Sequence, residues 1–148
     1  MKYVVLHHGG CTITRVHWRI TAGGELQREL PETERGQHAA CVEVLVEGDG
    51  DAAPPTAGQI GALHALLLEL KVRYPHIEVG GHRQIRAGKT RAGGPRTRCP
   101  GEQFPLADIR RWATTTLVAQ HEALLEDIIA DAYGPGGPRG FHRQPPSR

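Results

Sequence analysis

The stretch VGGHRQIRAGKTRAGGPRTRCPG, residues 79–101, governs how this chain is read. A short apolar run and two glycines deliver His82, and a basic segment then returns to Cys99, which Pro100 and Gly101 hold in a turn. Two soft metal ligands therefore meet at the mouth of one loop. An imidazole nitrogen and a thiolate suit Zn²⁺, but a usable site needs a third protein ligand, and a catalytic one leaves the fourth position to water. The third candidate lies at the other end of the chain. KYVVL at 2–6 reads as a strand running directly into His7 and His8, so either imidazole would project from the carboxyl end of a strand.

With 148 residues, 39% of them hydrophobic, the chain is long enough for one domain with a real core. Aromatic residues make up only 5%, so that core must be mostly Leu, Val, Ile and Ala. A net charge of +2 argues against a general polyanion binder. Charge is unevenly spread: Glu43, Glu47, Asp49 and Asp51 sit together without a base, and Arg83, Arg86, Lys89, Arg91, Arg96 and Arg98 without an acid. The simplest reading is two solvated loops. Three cysteines give no disulfide framework, which fits a reducing compartment and a metal role for one of them. No stretch approaches the roughly 18 apolar residues of a membrane span. A strand beginning at residue 2 leaves no room for a signal peptide, so the expected location is the cytoplasm as synthesised, with action on the cell wall requiring another route of release.

Along the chain, short strands alternate with two helices. His7 to Cys11 reads as a loop, because paired glycines end a strand. ITRVHWRI at 13–20 alternates at period two and predicts a half-buried strand, with Ala22-Gly23-Gly24 turning it into a partner at 25–30. CVEVLV at 41–46 is almost continuously apolar and predicts a central strand in which Glu43 is the one misfit. Thr56 is an N-cap for a helix whose Ile60, Leu63, Leu66, Leu67, Leu70 and Val72 recur at helical spacing until Pro75 halts it. Residues 77–79 form a short strand before His82. A second helix is predicted over about 105–133, longer than one small sheet can cover, so its second half is expected to fold back or to pair with another subunit. The domain thus spans 1–133, and the Gly/Pro/Arg tail at 134–148 is expected to be disordered.

Four segments in this order carry a family likeness: VVLHHGG at 4–10, VHWRITAGGEL at 16–26, GQHAA at 36–40, and GGHRQI with TRCPGEQFPL at 80–85 and 97–106. The chain resembles the zinc-dependent N-acetylmuramoyl-L-alanine amidases of the second type, a family that includes amidase-type phage lysozymes (endolysins) and peptidoglycan recognition proteins. The likeness covers most of residues 2–112. It implies an α/β fold, a twisted mixed sheet flanked by helices with the metal at one end of the strands. It implies His7, His82 and Cys99 as zinc ligands, with His8 in support. Thr97 matches a Lys or Thr that lines the site in relatives, and His38 matches a histidine on the floor of their substrate groove.

The departures are specific. Where relatives place a Tyr before a His-aromatic pair, this chain has Val16 before His17-Trp18, and where one branch uses a glutamate on the central strand it has Leu45. Glu43, two residues earlier on the same face, is the candidate to reach a metal-bound water, or else to pair with an arginine of the basic loop. Glu43 and Thr97 are therefore the catalytic candidates. Cys11 is read as a loop thiol rather than as the partner of His8 in a His-x-x-Cys cluster. His17 and Trp18 are read as core packing, and His64, His76, His121 and His142 as surface residues. Only a short segment separates His8 from Val16, too little for the helix that relatives insert there, so one wall of the usual cleft should be missing.

The resemblance implies hydrolysis of the muramoyl–L-alanine amide of peptidoglycan or muropeptides, slow because the usual Tyr or Glu proton carrier is absent. The alternative is a binding module that keeps the zinc site without cutting. Nucleic-acid binding is disfavoured, since no aromatics interleave the loop arginines. The basic loop is longer than in relatives and is expected to rebuild the missing wall, with Arg86 and Lys89 meeting the carboxylates of stem peptides. Neutralising Arg86, Lys89 and Arg91 together should weaken binding to cell-wall fragments, and more so at low salt than at high. An affinity unchanged by the triple substitution would leave the loop without a role in binding.

Overall fold

The computed structural model describes residues 1–85, 97–116 and 122–123. Its strands are β1 (Tyr3–His8), β2 (Trp18–Ile20), β3 (Leu26–Arg28), β4 (Cys41–Val46) and β5 (Glu78–Gly81). Helix α1 (Ala57–Arg73) connects β4 to β5, and α2 covers residues 106–116. They form one mixed sheet in the order β3-β2-β4-β1-β5. Strand β4 runs parallel to both β1 and β2, β1 parallel to β5, and only the β2–β3 hairpin is antiparallel. The inner position of β1 and β4 explains their unbroken apolar runs, because both of their faces are covered.

The two faces of the sheet differ. Val4, Leu6, Ile20, Val42, Val44 and Val46 pack with Leu63, Leu66, Leu67 and Leu70 of α1 and with Ile109 and Ala113 of α2 in one core. Strand residues alternate sides, so Val5, His7, Glu43 and Leu45 face the opposite way. That second face carries the polar cluster described below.

Helix α1 starts where its cap dictates. The Thr56 hydroxyl accepts from the Gln59 N–H, and the Gln59 side chain accepts from the Thr56 N–H, a reciprocal capping box whose N-cap contributes about 1 kcal/mol. The Gln59 amide also donates to the carbonyls of Thr21 and Glu47, tying the helix start to the ends of β2 and β4. Val72, assigned to the apolar stripe by spacing, is exposed. His64, expected at the surface, is half-buried because its ring stacks on Trp112 of α2 at 3.7 Å between centroids.

The strand predicted over 13–20 forms only at Trp18–Ile20. Just upstream the pairing with β4 becomes mixed: the His17 N–H donates to the Glu43 carbonyl at 3.0 Å, but the Glu43 N–H donates to His17 Nδ1 at 2.9 Å. The other ring nitrogen of His17 donates to the Glu34 carbonyl, so this fully buried histidine is a satisfied core residue, as read from the sequence. Likewise, the central position of 41–46 and the hairpin at 18–28 follow the sequence expectation. The second half of the predicted 105–133 helix, with the pairing of subunits assigned to it, and the tail at 134–148 lie outside the described residues, apart from 122–123.

Glu32 is a buried carboxylate joining three elements. It accepts from Trp18 Nε1 at 3.1 Å, from Arg73 Nη1 at 2.8 Å and from the Tyr74 hydroxyl at 3.0 Å. Replacing Glu32 with Ala leaves the buried indole N–H unpartnered, and we expect a loss of about 2 kcal/mol in the urea unfolding free energy. An unchanged unfolding midpoint would show that Glu32 does not hold β2 to the end of α1.

Candidate metal centre

The choice between His7 and His8 is made by the pleat. Both belong to β1 rather than to the loop expected from Gly9-Gly10, so their side chains leave opposite faces of the sheet. His8 turns to the helix side of the 48–51 loop, where its Nδ1 accepts the Gly50 N–H at 2.9 Å. His7 turns to the polar face and is fully buried. There it meets His82, which opens the 3-10 turn His82–Gln84 directly after β5, and the buried Cys99.

A further residue joins them. Cys11, read from the sequence as a loop thiol, has its sulfur 3.6 Å from His7 Nδ1 and 3.4 Å from His82 Nδ1, while Cys99 Sγ lies 3.6 Å from the same His7 nitrogen. The four ligand atoms of His7, Cys11, His82 and Cys99 all lie within 4.8 Å of one another. Tetrahedral zinc, with bonds of about 2.3 Å to sulfur and about 2.0–2.1 Å to nitrogen, has nitrogen–sulfur edges of about 3.5 Å. The donor set and its spacing therefore fit a tetrahedral metal ion. The signal in sequence was available: a Gly-Gly turn between His7 and Cys11 reverses the chain and brings residue 11 back over residue 7.

Behind the ligands lies a fully buried carboxylate. Glu43 Oε2 accepts from His7 Nε2 at 2.8 Å, and Oε1 accepts from both the backbone N–H of His38 at 2.6 Å and its ring Nδ1 at 2.9 Å. The sequence offered two roles for Glu43, reach to a metal-bound water or a pair with an arginine of the basic loop, and residues 86–96 of that loop lie outside the described residues. Among the described residues both of its oxygens are taken by histidines, one by His7 and the other by His38. The hydrogen bond at Nε2 leaves His7 Nδ1 free to ligate, the arrangement by which outer carboxylates orient metal-binding imidazoles. The His38 ring lies 4.9 Å from that of His82 and parallel to that of His7 at 6.1 Å, so it borders the ligand cluster.

Burial sets the charge states. It pushes His82 down to about 4, with the nearby His7 and His38 rings adding to the shift. Burial also lowers His7, against the opposing hydrogen bond and charge of Glu43. Both imidazoles are thus neutral at neutral pH, as ligands must be. For Glu43, burial alone would raise the carboxyl, but the hydrogen bonds from His7 and from the His38 backbone outweigh it and hold the group below its ordinary value. Burial pushes the Cys99 thiol up, so its ionisation depends on a cation at the site.

The Cys99 turn is braced from the 48–51 loop. Gln103 N–H donates to the Gly50 carbonyl, Glu102 N–H to Asp51 Oδ1, and Arg83 N–H to the Cys99 carbonyl. The approach is so close that a Cβ on Gly50 would lie 1.9 Å from the Pro100 carbonyl oxygen. Thr97 is exposed, and its hydroxyl accepts the Cys99 N–H at 3.2 Å. Val16 and Leu45, where relatives carry proton-handling groups, are buried apolar residues. Residues 9–17 contain no helix. Arg86 and Lys89 lie outside the described residues.

No protein-family model matches the sequence, and no curated protein matches it either. Solved structures do. The N-acetylmuramoyl-L-alanine amidase LysC from Clostridium intestinale is similar at a TM-score of 0.62 and 22% identity, over 76% of this chain and 85% of that one. AmpD, solved as its selenomethionyl derivative, matches at 0.59 and 19% identity, over 76% and 83%. Drosophila peptidoglycan recognition protein SD matches at 0.56 and 18% identity, over 75% and 79%. The fold expected from the sequence motifs is therefore the fold observed, that of the amidases and peptidoglycan recognition proteins.

Gly50→Ala tests how the cysteine is held. The added methyl must push the Cys99–Gly101 turn away, so we expect a loss of about 1–3 kcal/mol in stability and a fall in zinc bound per chain. Full zinc occupancy in this variant would mean that the turn does not determine where Cys99 sits.

Proposed function

We propose that this chain is a zinc-dependent domain that hydrolyses the N-acetylmuramoyl–L-alanine amide of peptidoglycan or muropeptides. His7, His82 and Cys99 are its metal ligands. The observation that carries the reading is the convergence of these three side chains from β1, from the turn after β5 and from the 97–101 segment, on a sheet whose architecture is that of amidases. Zinc bound there supplies a Lewis acid for the amide carbonyl and a lowered pKa for water.

The remaining work falls to the chain's own side chains. Glu43 positions His7 by accepting its Nε2–H, so the nitrogen facing the ion keeps its lone pair. The same carboxylate accepts from His38 Nδ1, which leaves Nε2 of that ring free to handle a proton beside the cluster. A carboxylate-held imidazole is a general acid–base pattern, and in this reading His38 takes the place of the Tyr or Glu that Val16 and Leu45 do not supply. Thr97 braces Cys99, and Arg86 and Lys89 are assigned to substrate carboxylates on charge alone. A second reading, a peptidoglycan-binding module that does not cut, is favoured by the burial of Val16 and Leu45.

Metal analysis of the wild type beside His82→Ala and Cys99→Ser, each assayed for muramyl-peptide hydrolysis and binding, tests both readings. The expected result is bound zinc in the wild type, its loss from both variants, and hydrolysis that falls with it. Removing His38 should lower the rate by roughly 10²–10⁴ while zinc stays bound. Zinc with tight binding and no cleavage establishes the second reading, and a wild type that takes up no metal overturns both.

A further inference from the structure

We propose that Cys11 is a fourth protein ligand of the metal, so that the ion is enclosed by two imidazoles and two thiolates with no corner left to solvent. The inference rests on the metal site of the preceding reading and changes what that site does at rest. Three nitrogen–sulfur distances support it, 3.6 Å and 3.4 Å from Cys11 to the two histidines and 3.6 Å from Cys99 to His7, each close to the edge of a zinc tetrahedron. Cys11 stands in this geometry as firmly as Cys99 does.

Its position is also built by the backbone. The Gly9 N–H donates to the Gly48 carbonyl at 2.7 Å, and the Cys11 N–H donates to the His8 carbonyl at 3.0 Å, which closes the turn that returns residue 11 over β1. Two histidines and two cysteines are a donor set of closed structural zinc sites, whereas hydrolytic sites hold three protein ligands and keep one position open. With Cys11 bound, a substrate carbonyl has no vacant corner to reach. Cys11 is half-buried on a short turn and Cys99 is buried, so Cys11 is the ligand able to leave. With all four residues holding the ion, the domain would bind its target without cutting, and hydrolysis would require Cys11 to give up its place to water.

The test reads the ligand set directly. Load the full chain with Co²⁺ and record the thiolate-to-cobalt charge-transfer band of wild type, Cys11→Ser and Cys99→Ser. We expect each variant to lose about half of the wild-type intensity, since the band grows with the number of thiolates bound. Zinc affinity of Cys11→Ser should fall by roughly 100-fold or more, at least the loss that removing an outer partner causes, and its hydrolysis per bound zinc should rise above wild type. In the unmodified protein, alkylation followed by mass spectrometry should find Cys11 protected by Zn²⁺ and reactive after chelation. A band of equal intensity in wild type and Cys11→Ser, or alkylation of Cys11 unaffected by zinc, overturns the proposal and leaves the three-ligand amidase standing. Absence of metal from the wild type overturns both.

Discussion

The bond between the Glu43 carboxylate and His7 Nε2, 2.8 Å long and closed to solvent, is the constraint on which the site depends. A carboxylate taken out of water is costly by several kcal/mol unless it is paired and its lone pairs are used. Here both oxygens are used, one by His7 and the other by the backbone and ring of His38. The pairing exists because β1 and β4 lie parallel with Val5 beside Glu43 and His7 beside Leu45, which sets the carboxylate one step behind the imidazole on the same face. A slip of one residue in this register would turn either group into the helix-side core.

The sheet separates structural from chemical duties by its two faces. Valines and leucines lock one side to α1 and α2, so the opposite side can carry a histidine, a glutamate and the ends of three loops without loss of the core. Precision there comes from short connections. The turn after β1, the 48–51 loop and the Cys99 turn bond to one another through backbone groups. The ligand cluster is thus a property of loop packing at one sheet end, and it is closer knit than three ligands alone would require.

Likeness of fold to amidases and recognition proteins leaves the chemistry of the site to its own side chains. Val16 and Leu45 are part of the packed interior, so nothing at those positions can move a proton. The groups that remain beside the ligands are His38, oriented by Glu43, and Cys11. One is an imidazole held by a carboxylate, the other a thiol within 3.6 Å of two histidine nitrogens.

Much of the architecture was legible along the chain. The almost continuously apolar run at 41–46 marked an inner strand and Thr56 marked the start of α1, because local pattern and cap chemistry decide these features by themselves. Other features depended on tertiary contacts. The 13–20 strand was cut short when the His17 ring took the Glu43 N–H, and the His64 ring was drawn inward by Trp112. Glu43 acquired its partner only when the register of β1 and β4 set it behind His7, and Cys11 met His82 only when the turn after β5 came beside it. Periodicity and composition are written into neighbouring residues; the partner of a buried charge or a thiol is chosen by the parallel pairing of strands dozens of residues apart, and that choice is made only in three dimensions.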